Sequence, residues 1–151
     1  MRIKHSIECY IAREGLTGLI EILLLHKPKT YRHPAFWQPI TGGIEKDETP
    51  IEACIREVNE EANLHMNVEI IKDLNYEFEI SLKEDDLVIK KSLFMYRDID
   101  PILQIKISEE HDDFMWVKLE EVSNYLFWDS NKNTFKELYK VLIYGYNERM
   151  I

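Results

Sequence analysis

The apolar positions of the chain follow two rhythms, one of period two and one near 3.6, and the changes between them predict the elements. Ile3 to Ile11 alternates loosely and stops before Arg13-Glu14-Gly15, a turn signal, so it reads as a strand. Leu19 to Leu25 is almost wholly apolar, as suits a central strand. A basic loop follows from Lys27 to Pro34, then a short extended piece from Phe36 to Ile40, closed by Gly42-Gly43. Thr49 to Ala62 is predicted as a helix. Thr49 is a natural N-cap, Pro50 suits the first helical position, and Glu52 completes a capping box. Ile51, Cys54, Ile55, Val58 and Ala62 form its apolar stripe. Val68 to Leu82 and Leu87 to Arg97 read as two long strands joined by a hairpin at Glu84-Asp85-Asp86. A short strand is expected at Phe114 to Val117 and a short helix at Leu119 to Tyr125. The last helix is expected from Thr134 to Met150, where Phe135, Leu138, Tyr139, Leu142, Ile143 and Tyr146 keep helical spacing.

Strands and helices do not alternate regularly, which argues against a doubly wound parallel sheet. The pattern implies an α+β fold, a mixed sheet with helices on both faces. No internal repeat, low-complexity tract or Gly/Ser linker divides the 151 residues, so one domain spanning 1–151 is expected.

Composition narrows the function. No apolar run approaches the ~20 residues of a membrane span, and the first residues lead into an alternating strand and not into a secretory apolar block. A cytoplasmic location is the expectation. Cys9 and Cys54 match no zinc spacing and read as small apolar core residues. The net charge of −9 argues against binding long nucleic acid, which needs a basic footprint. A small phosphorylated substrate is still compatible, because a bound cation reverses the local field.

The candidate chemistry lies on the Thr49–Ala62 helix. Glu57, Glu60 and Glu61 stand at i, i+3 and i+4, so their carboxylates lie side by side and repel by roughly 0.2–0.5 kcal/mol per pair. They also occupy the last turns, where the helix dipole disfavours anions by ~0.3–1 kcal/mol each. Hard carboxylate oxygens converging on one face suit Mg²⁺ or Mn²⁺. On the triplet alone, a solvated acidic face is the plainer account in a chain this acidic.

The flanking residues change that balance. Gly42, five residues, Glu48, seven residues, then Arg56-Glu57-Val58-Asn59-Glu60-Glu61-Ala62-Asn63-Leu64 closely resembles the Nudix box, Gly-x5-Glu-x7-Arg-Glu-U-x-Glu-Glu-x-Gly-U, with U aliphatic. Eight of nine defined positions match over 23 residues. The departure is Asn63 where the family has glycine at a left-handed helix end, a position that Asn also tolerates. The resemblance implies a Nudix-type α/β/α sandwich and a hydrolase acting on phosphoric anhydride bonds with Mg²⁺ or Mn²⁺. It implies that Glu57, Glu60 and Glu61 are metal ligands or bases. It further implies that Gly42, with Thr41, brings backbone carbonyls to the metal, and that Arg56 pairs with Glu48 to tie the loop to the helix. Either Glu57 or Glu60 would help deprotonate the attacking water.

The likeness extends outward. Phe36-Trp37-Gln38-Pro39-Ile40-Thr41-Gly42, Glu110-His111-x4-Trp116, and Trp128 followed by Asn131-Lys132 are similar to segments of bacterial dihydroneopterin triphosphate and dATP pyrophosphatases. That subfamily supplies a further metal ligand from the Glu of Glu-His, which makes Glu110 the matching residue, with Glu109, Asp112 and Asp113 as competitors. Two accounts fit Trp37: stacking on a base or pterin, or core packing. Gln38 goes with it as a candidate substrate contact. Lys27, Lys29 and Arg32 are placed to hold terminal phosphates, or form a solvated basic loop.

The expected function is cleavage of a nucleoside triphosphate or pterin triphosphate to a monophosphate and pyrophosphate. The alternatives are an RNA 5′-pyrophosphohydrolase, a dinucleoside polyphosphate hydrolase, and a catalytically silent nucleotide-sensing module, although such modules usually lose box acids that this chain keeps. The sequence leaves the oligomeric state open.

Overall fold

The computed structural model describes residues 2–65, 68–97, 100 and 103–145. In chain order the strands are β1 (Arg2–Glu14), β2 (Ile20–Lys27), β3 (Phe36–Gln38), β4 (Ile40–Gly43), β5 (Ile71–Leu82), β6 (Leu87–Tyr96) and β7 (Asp113–Lys118). Among the described residues the α-helices are α1 (Pro50–Ala62) and α2 (Asp129–Lys140). No described helix is long and apolar enough to cross a membrane.

β1 is the axis of a seven-stranded mixed sheet. One edge pairs in parallel with β6 from Arg2↔Leu87 to Ile11↔Tyr96. The other edge is shared: Ser6–Cys9 pair with β4, and Ala12–Glu14 pair with β2. The sheet therefore divides where β1 passes from one partner to the other. β2 carries β3 and β7 on one half, and β6 carries β5 on the other.

Period-two alternation then distributes the core over both faces. Ile7, Cys9 and Ile11 point to α1 and pack with Cys54, Val58 and Ala62. Tyr10 and Ala12 point the other way and pack with Phe135 and Leu138 of α2. Helices thus cover both faces, the expected α/β/α sandwich. Leu23 joins the first cluster and Leu24 the second, which is why β2 reads as an unbroken apolar run. Both cysteines are free and buried.

Several boundaries differ from expectation. The extended piece at Phe36–Ile40 is two strands with different partners, broken at Pro39, which has no N–H for a ladder. Val68–Ile70 forms a 3₁₀ turn and not the start of β5. Within β5 the register shifts between Asp73 and Glu77, and Asn75 there has φ 52°, a left-handed value that Asn tolerates. Leu119–Asn124 is a 3₁₀ helix. α2 starts at Asp129, ahead of the expected Thr134, and Asp-Ser-Asn-Lys-Asn carries no apolar rhythm from which that first turn could be read. It gives way to a π turn at Val141–Gly145, and its expected continuation to Met150 lies outside the described residues.

α1 has the capping box: Thr49 accepts from the Glu52 amide, and Glu52 reaches back to the Thr49 amide. Asn63 closes the helix at φ 56°, ψ 35°, and its N–H donates to Asn59 O at 2.9 Å. Most non-glycine residues lose about 1–2 kcal/mol in that conformation. Asn63→Gly should therefore leave urea-unfolding stability within about 1 kcal/mol of wild type, and Asn63→Val should lower it by about 1–2 kcal/mol. Equal stability of the two variants would show that the left-handed cap is not what limits this site.

Candidate active site

The site forms where the end of β4 meets the exposed side of α1. A Cβ on Gly42 would lie 2.1 Å from Glu57 Cδ and 2.3 Å from Oε1, so only glycine admits this contact. The loop after β4 is tied down by Arg56. Its Nε donates to Glu48 Oε2 at 2.8 Å and its Nη2 to Glu48 Oε1 at 3.0 Å, a bidentate pair. Nη2 also donates to Gly43 O at 2.8 Å. Nη1 reaches Glu57 Oε1 at 2.8 Å and Glu60 Oε2 at 3.3 Å. The guanidinium holds the Glu48 carboxyl below its ordinary range, and those hydrogen bonds push Arg56 itself further up.

The three glutamates occupy different environments. Glu60 has a side chain 55% exposed, and Glu57 only 13%. Glu61 is buried at 3%. Burial, then the Glu57 and Glu110 charges, push its carboxyl up to about 9 against the Thr41 amide and the Lys27 charge. Burial likewise raises Glu57, opposed by Arg56. Glu61 Oε2 has no hydrogen-bond partner among the described residues. An orphaned, buried carboxylate oxygen among other carboxylates is a fit for a divalent cation. Among the described residues no three acidic, His or Cys side chains are already gathered around one point. Arg56 accounts for this by drawing Glu57 and Glu60 toward its own guanidinium.

A cleft of about 290 Å³ opens over these residues, lined by Glu57, Glu60, Glu61, Ser108, Glu109 and Glu110. Glu110 comes from the loop before β7, and its charge bears on both Glu57 and Glu61.

Residues 7–138 match the family model described as the NUDIX domain. The chain belongs to the Nudix family. It is 28% identical over 128 residues to the bis(5′-nucleosyl)-tetraphosphatase (asymmetrical) of Rattus norvegicus, covering 82% of this chain and 81% of that protein. It is 28% identical over 113 residues to the dihydroneopterin triphosphate diphosphatase of Haemophilus influenzae, covering 69% of this chain and 71% of that one. An octanoyltransferase of Myxococcus xanthus is 30% identical over 104 residues, but this chain spans only 28% of its length. Among solved structures, the E. coli dihydroneopterin triphosphate pyrophosphohydrolase superposes with TM-score 0.71 at 23% identity, covering 91% of this chain and 97% of that one. It is a hydrolase family acting on phosphoric anhydride bonds, generally with divalent cations such as Mg²⁺ or Mn²⁺.

Outside the Nudix box, the other sequence candidates separate. Lys27 is half-buried near the cleft, where its charge acts on Glu61 and His111. Lys29 and Arg32 are exposed, and Arg32 Nε donates to the Tyr31 hydroxyl at 3.0 Å. Trp37 packs its ring on His26 at 4.7 Å and joins the α2-side core, which favours packing over stacking for that residue. Gln38 is buried with Nε2 donating to His111 Nε2 at 3.0 Å. Asp112 pairs with His26 at 2.5 Å, and Asp113 accepts from the Phe114 amide.

Sequence reading missed His26 and the buried polar group in which Glu8, Lys91 and Thr134 meet Asn131, a residue singled out only through the Trp128…Asn131-Lys132 likeness. One signal for that group was available: a charged Glu8 inside an otherwise apolar run, Ile7 to Ala12.

Proposed function

We propose that this chain is a Mg²⁺- or Mn²⁺-dependent pyrophosphohydrolase that cleaves a nucleoside triphosphate, or a related substrate of the dATP or dihydroneopterin triphosphate type, to a monophosphate and pyrophosphate. The observation that carries the reading is Glu61, buried with Oε2 unpartnered, beside Glu57 and across the cleft from Glu110. Glu57, Glu60, Glu61 and Glu110, with the Thr41 and Gly42 backbone, would hold the cations. When bound, the cations supply countercharge for the phosphates and make a water more acidic.

The protein's own residues do the rest. Arg56 takes Glu57 Oε1, which leaves Oε2 to accept the proton of the attacking water, and burial makes that carboxylate more basic. The water oxygen forms a bond to phosphorus, the anhydride P–O bond breaks, and pyrophosphate departs. Glu48 holds Arg56, so the base is fixed from behind. Lys27 is the cation best placed to meet a terminal phosphate, while Lys29 and Arg32 belong to the exposed rim. Gln38, fixed by His111, is a candidate substrate contact. The net charge of −9 disfavours long RNA as substrate.

A second reading, hydrolysis of a dinucleoside polyphosphate, is favoured by the length of the match to the rat tetraphosphatase. A panel of dATP, other nucleoside triphosphates, dihydroneopterin triphosphate, Ap4A and 5′-triphosphate RNA separates them. Pyrophosphate released from a mononucleotide or pterin triphosphate, with Ap4A inert, is the expected result. Preferential turnover of Ap4A establishes the second reading, and turnover of none leaves only a sensing module.

Two alanine variants test the far wall of the cleft. Glu110→Ala should lower kcat by about 10-fold or more with little change in KM, since the loss falls on the transition state. Glu109→Ala should stay within about twofold, because Glu110, and not Glu109, stands among the main charges acting on Glu57 and Glu61. The reverse outcome would reassign the outer ligand.

A further inference from the structure

Behind β4, on the α2 side of the sheet, lies a chain of polar contacts that the proposed mechanism does not use. Thr41 stands opposite Glu8 in the β1–β4 ladder. Its amide, on the free edge of β4, donates to the Glu61 carboxylate. Its hydroxyl donates to Ile7 O at 2.9 Å and accepts from Lys91 Nζ at 2.7 Å. Lys91 projects from β6 into the sheet, its side chain 13% exposed, with Glu8 Oε1 3.9 Å away. Glu8 is fully buried and accepts from Asn131 Nδ2 at 2.8 Å and from the Thr134 hydroxyl, both at the start of α2. The Tyr10 hydroxyl braces that turn on Asn131 O at 3.1 Å.

Burying a lysine and a glutamate together is rarely justified by stability, since desolvation offsets most of the attraction. An apolar pair would serve the core at least as well. What the pair does hold is the one residue whose amide orients Glu61. A shift of Thr41 would move that amide, and the buried Glu61 has no other described donor to align it.

We propose that Lys91 is a positioning residue for the metal site: anchored by Glu8 and the start of α2, it fixes Thr41 and through Thr41 the orientation of Glu61. The inference rests on the reading of Glu61 as a metal ligand. It makes the metal site sensitive to residues on the opposite face of the sheet, among them Asn131 and Thr134, which do not line the cleft.

The test is Mn²⁺ binding to the whole protein without substrate, by calorimetry, alongside steady-state kinetics. Lys91→Met and Thr41→Val should each weaken Mn²⁺ binding about 10-fold or more, in the range seen when a group behind a metal ligand is lost. The double variant should be little worse than either single one, because both break one contact. Lys91→Met should lower kcat and leave KM for the triphosphate within about twofold. Should Lys91→Met fail to fold because Glu8 is left unpaired, Glu8→Gln/Lys91→Met removes both charges and carries the same expectation. Folded variants that bind Mn²⁺ as wild type does overturn the proposal. So does a rise in KM alone, which would make Lys91 a substrate contact. Wild-type protein that takes up no Mn²⁺ would instead remove the metal reading, and this inference with it.

Discussion

Chelation with EDTA abolishes hydrolysis by this protein, and added Mg²⁺ or Mn²⁺ restores it: that is the first expected result. Glu57, Glu60, Glu61 and Glu110 line one cleft, in a chain of net charge −9. Two like charges about 4 Å apart near a protein surface repel by about 4 kcal/mol, so such a cleft repels a triphosphate on its own. Arg56 does not relieve this for the substrate, because its guanidinium is already spent on Glu48, Glu57 and Gly43. Lys27 and Lys91 are cations whose charges are felt at Glu61, and they cannot offset four carboxylates. A divalent cation changes the sign of the field where the phosphates must sit. Release of pyrophosphate, followed at fixed substrate in EDTA and then with metal added back, measures it. Turnover in EDTA equal to that in Mg²⁺ would sink the metal assignment.

The second large effect belongs to Glu61→Gln, which should lower kcat on the order of 10²-fold or more while the fold survives. Its signature is a pH dependence. The Glu61 carboxyl is raised from 4.5 in the unfolded chain to about 9 in the fold. The folded, metal-free protein therefore holds a proton that the unfolded chain releases. That contribution to stability is fully present below about pH 4.5 and is lost as pH rises toward about 9. Metal must displace the proton, so binding releases it and strengthens with pH over the same interval. In wild type, then, Tm without metal falls between pH 5.5 and 8.5, and Mg²⁺ raises Tm more at the upper pH. In Glu61→Gln the metal-free decline should flatten and the Mg²⁺ effect should shrink at both pH values. A variant with an unchanged Mg²⁺ shift would take Glu61 out of the site. Glu57→Gln should match it in kcat, since it removes the proposed proton acceptor, but should leave most of the pH-dependent stability in place.

The local features of the site were legible in the chain because their causes are local. Thr49, Pro50 and Glu52 start a helix by chemistry that acts within one turn, and the structure has that capping box. Asn63 ends it in the left-handed conformation that Asn allows. The likeness to the Nudix box implied a tie between loop and helix, and Arg56 spans it with a bidentate pair to Glu48. The two faces of the sheet followed from period-two alternation, and with them the sandwich.

What the tertiary structure decided is which of these groups lose water. Glu57, Glu60 and Glu61 are alike in sequence, and helical spacing placed all three on a polar face. Only packing of α1 against β4 buries Glu61 and leaves Glu60 in solvent, and that burial is what pushes the Glu61 carboxyl up. The division of the Phe36–Ile40 piece at Pro39 also needed the partners, since β3 and β4 pair with different strands. Glu8 and Lys91 are 83 residues apart and meet only because β1 and β6 run in parallel register. α2 starts at Asp129 without an apolar rhythm because Asn131 and Thr134 are used to satisfy that buried glutamate. Hydrophobic period and capping act over a few residues and can be read along the chain. Desolvation depends on everything that packs around a group, so it exists only once the chain has folded.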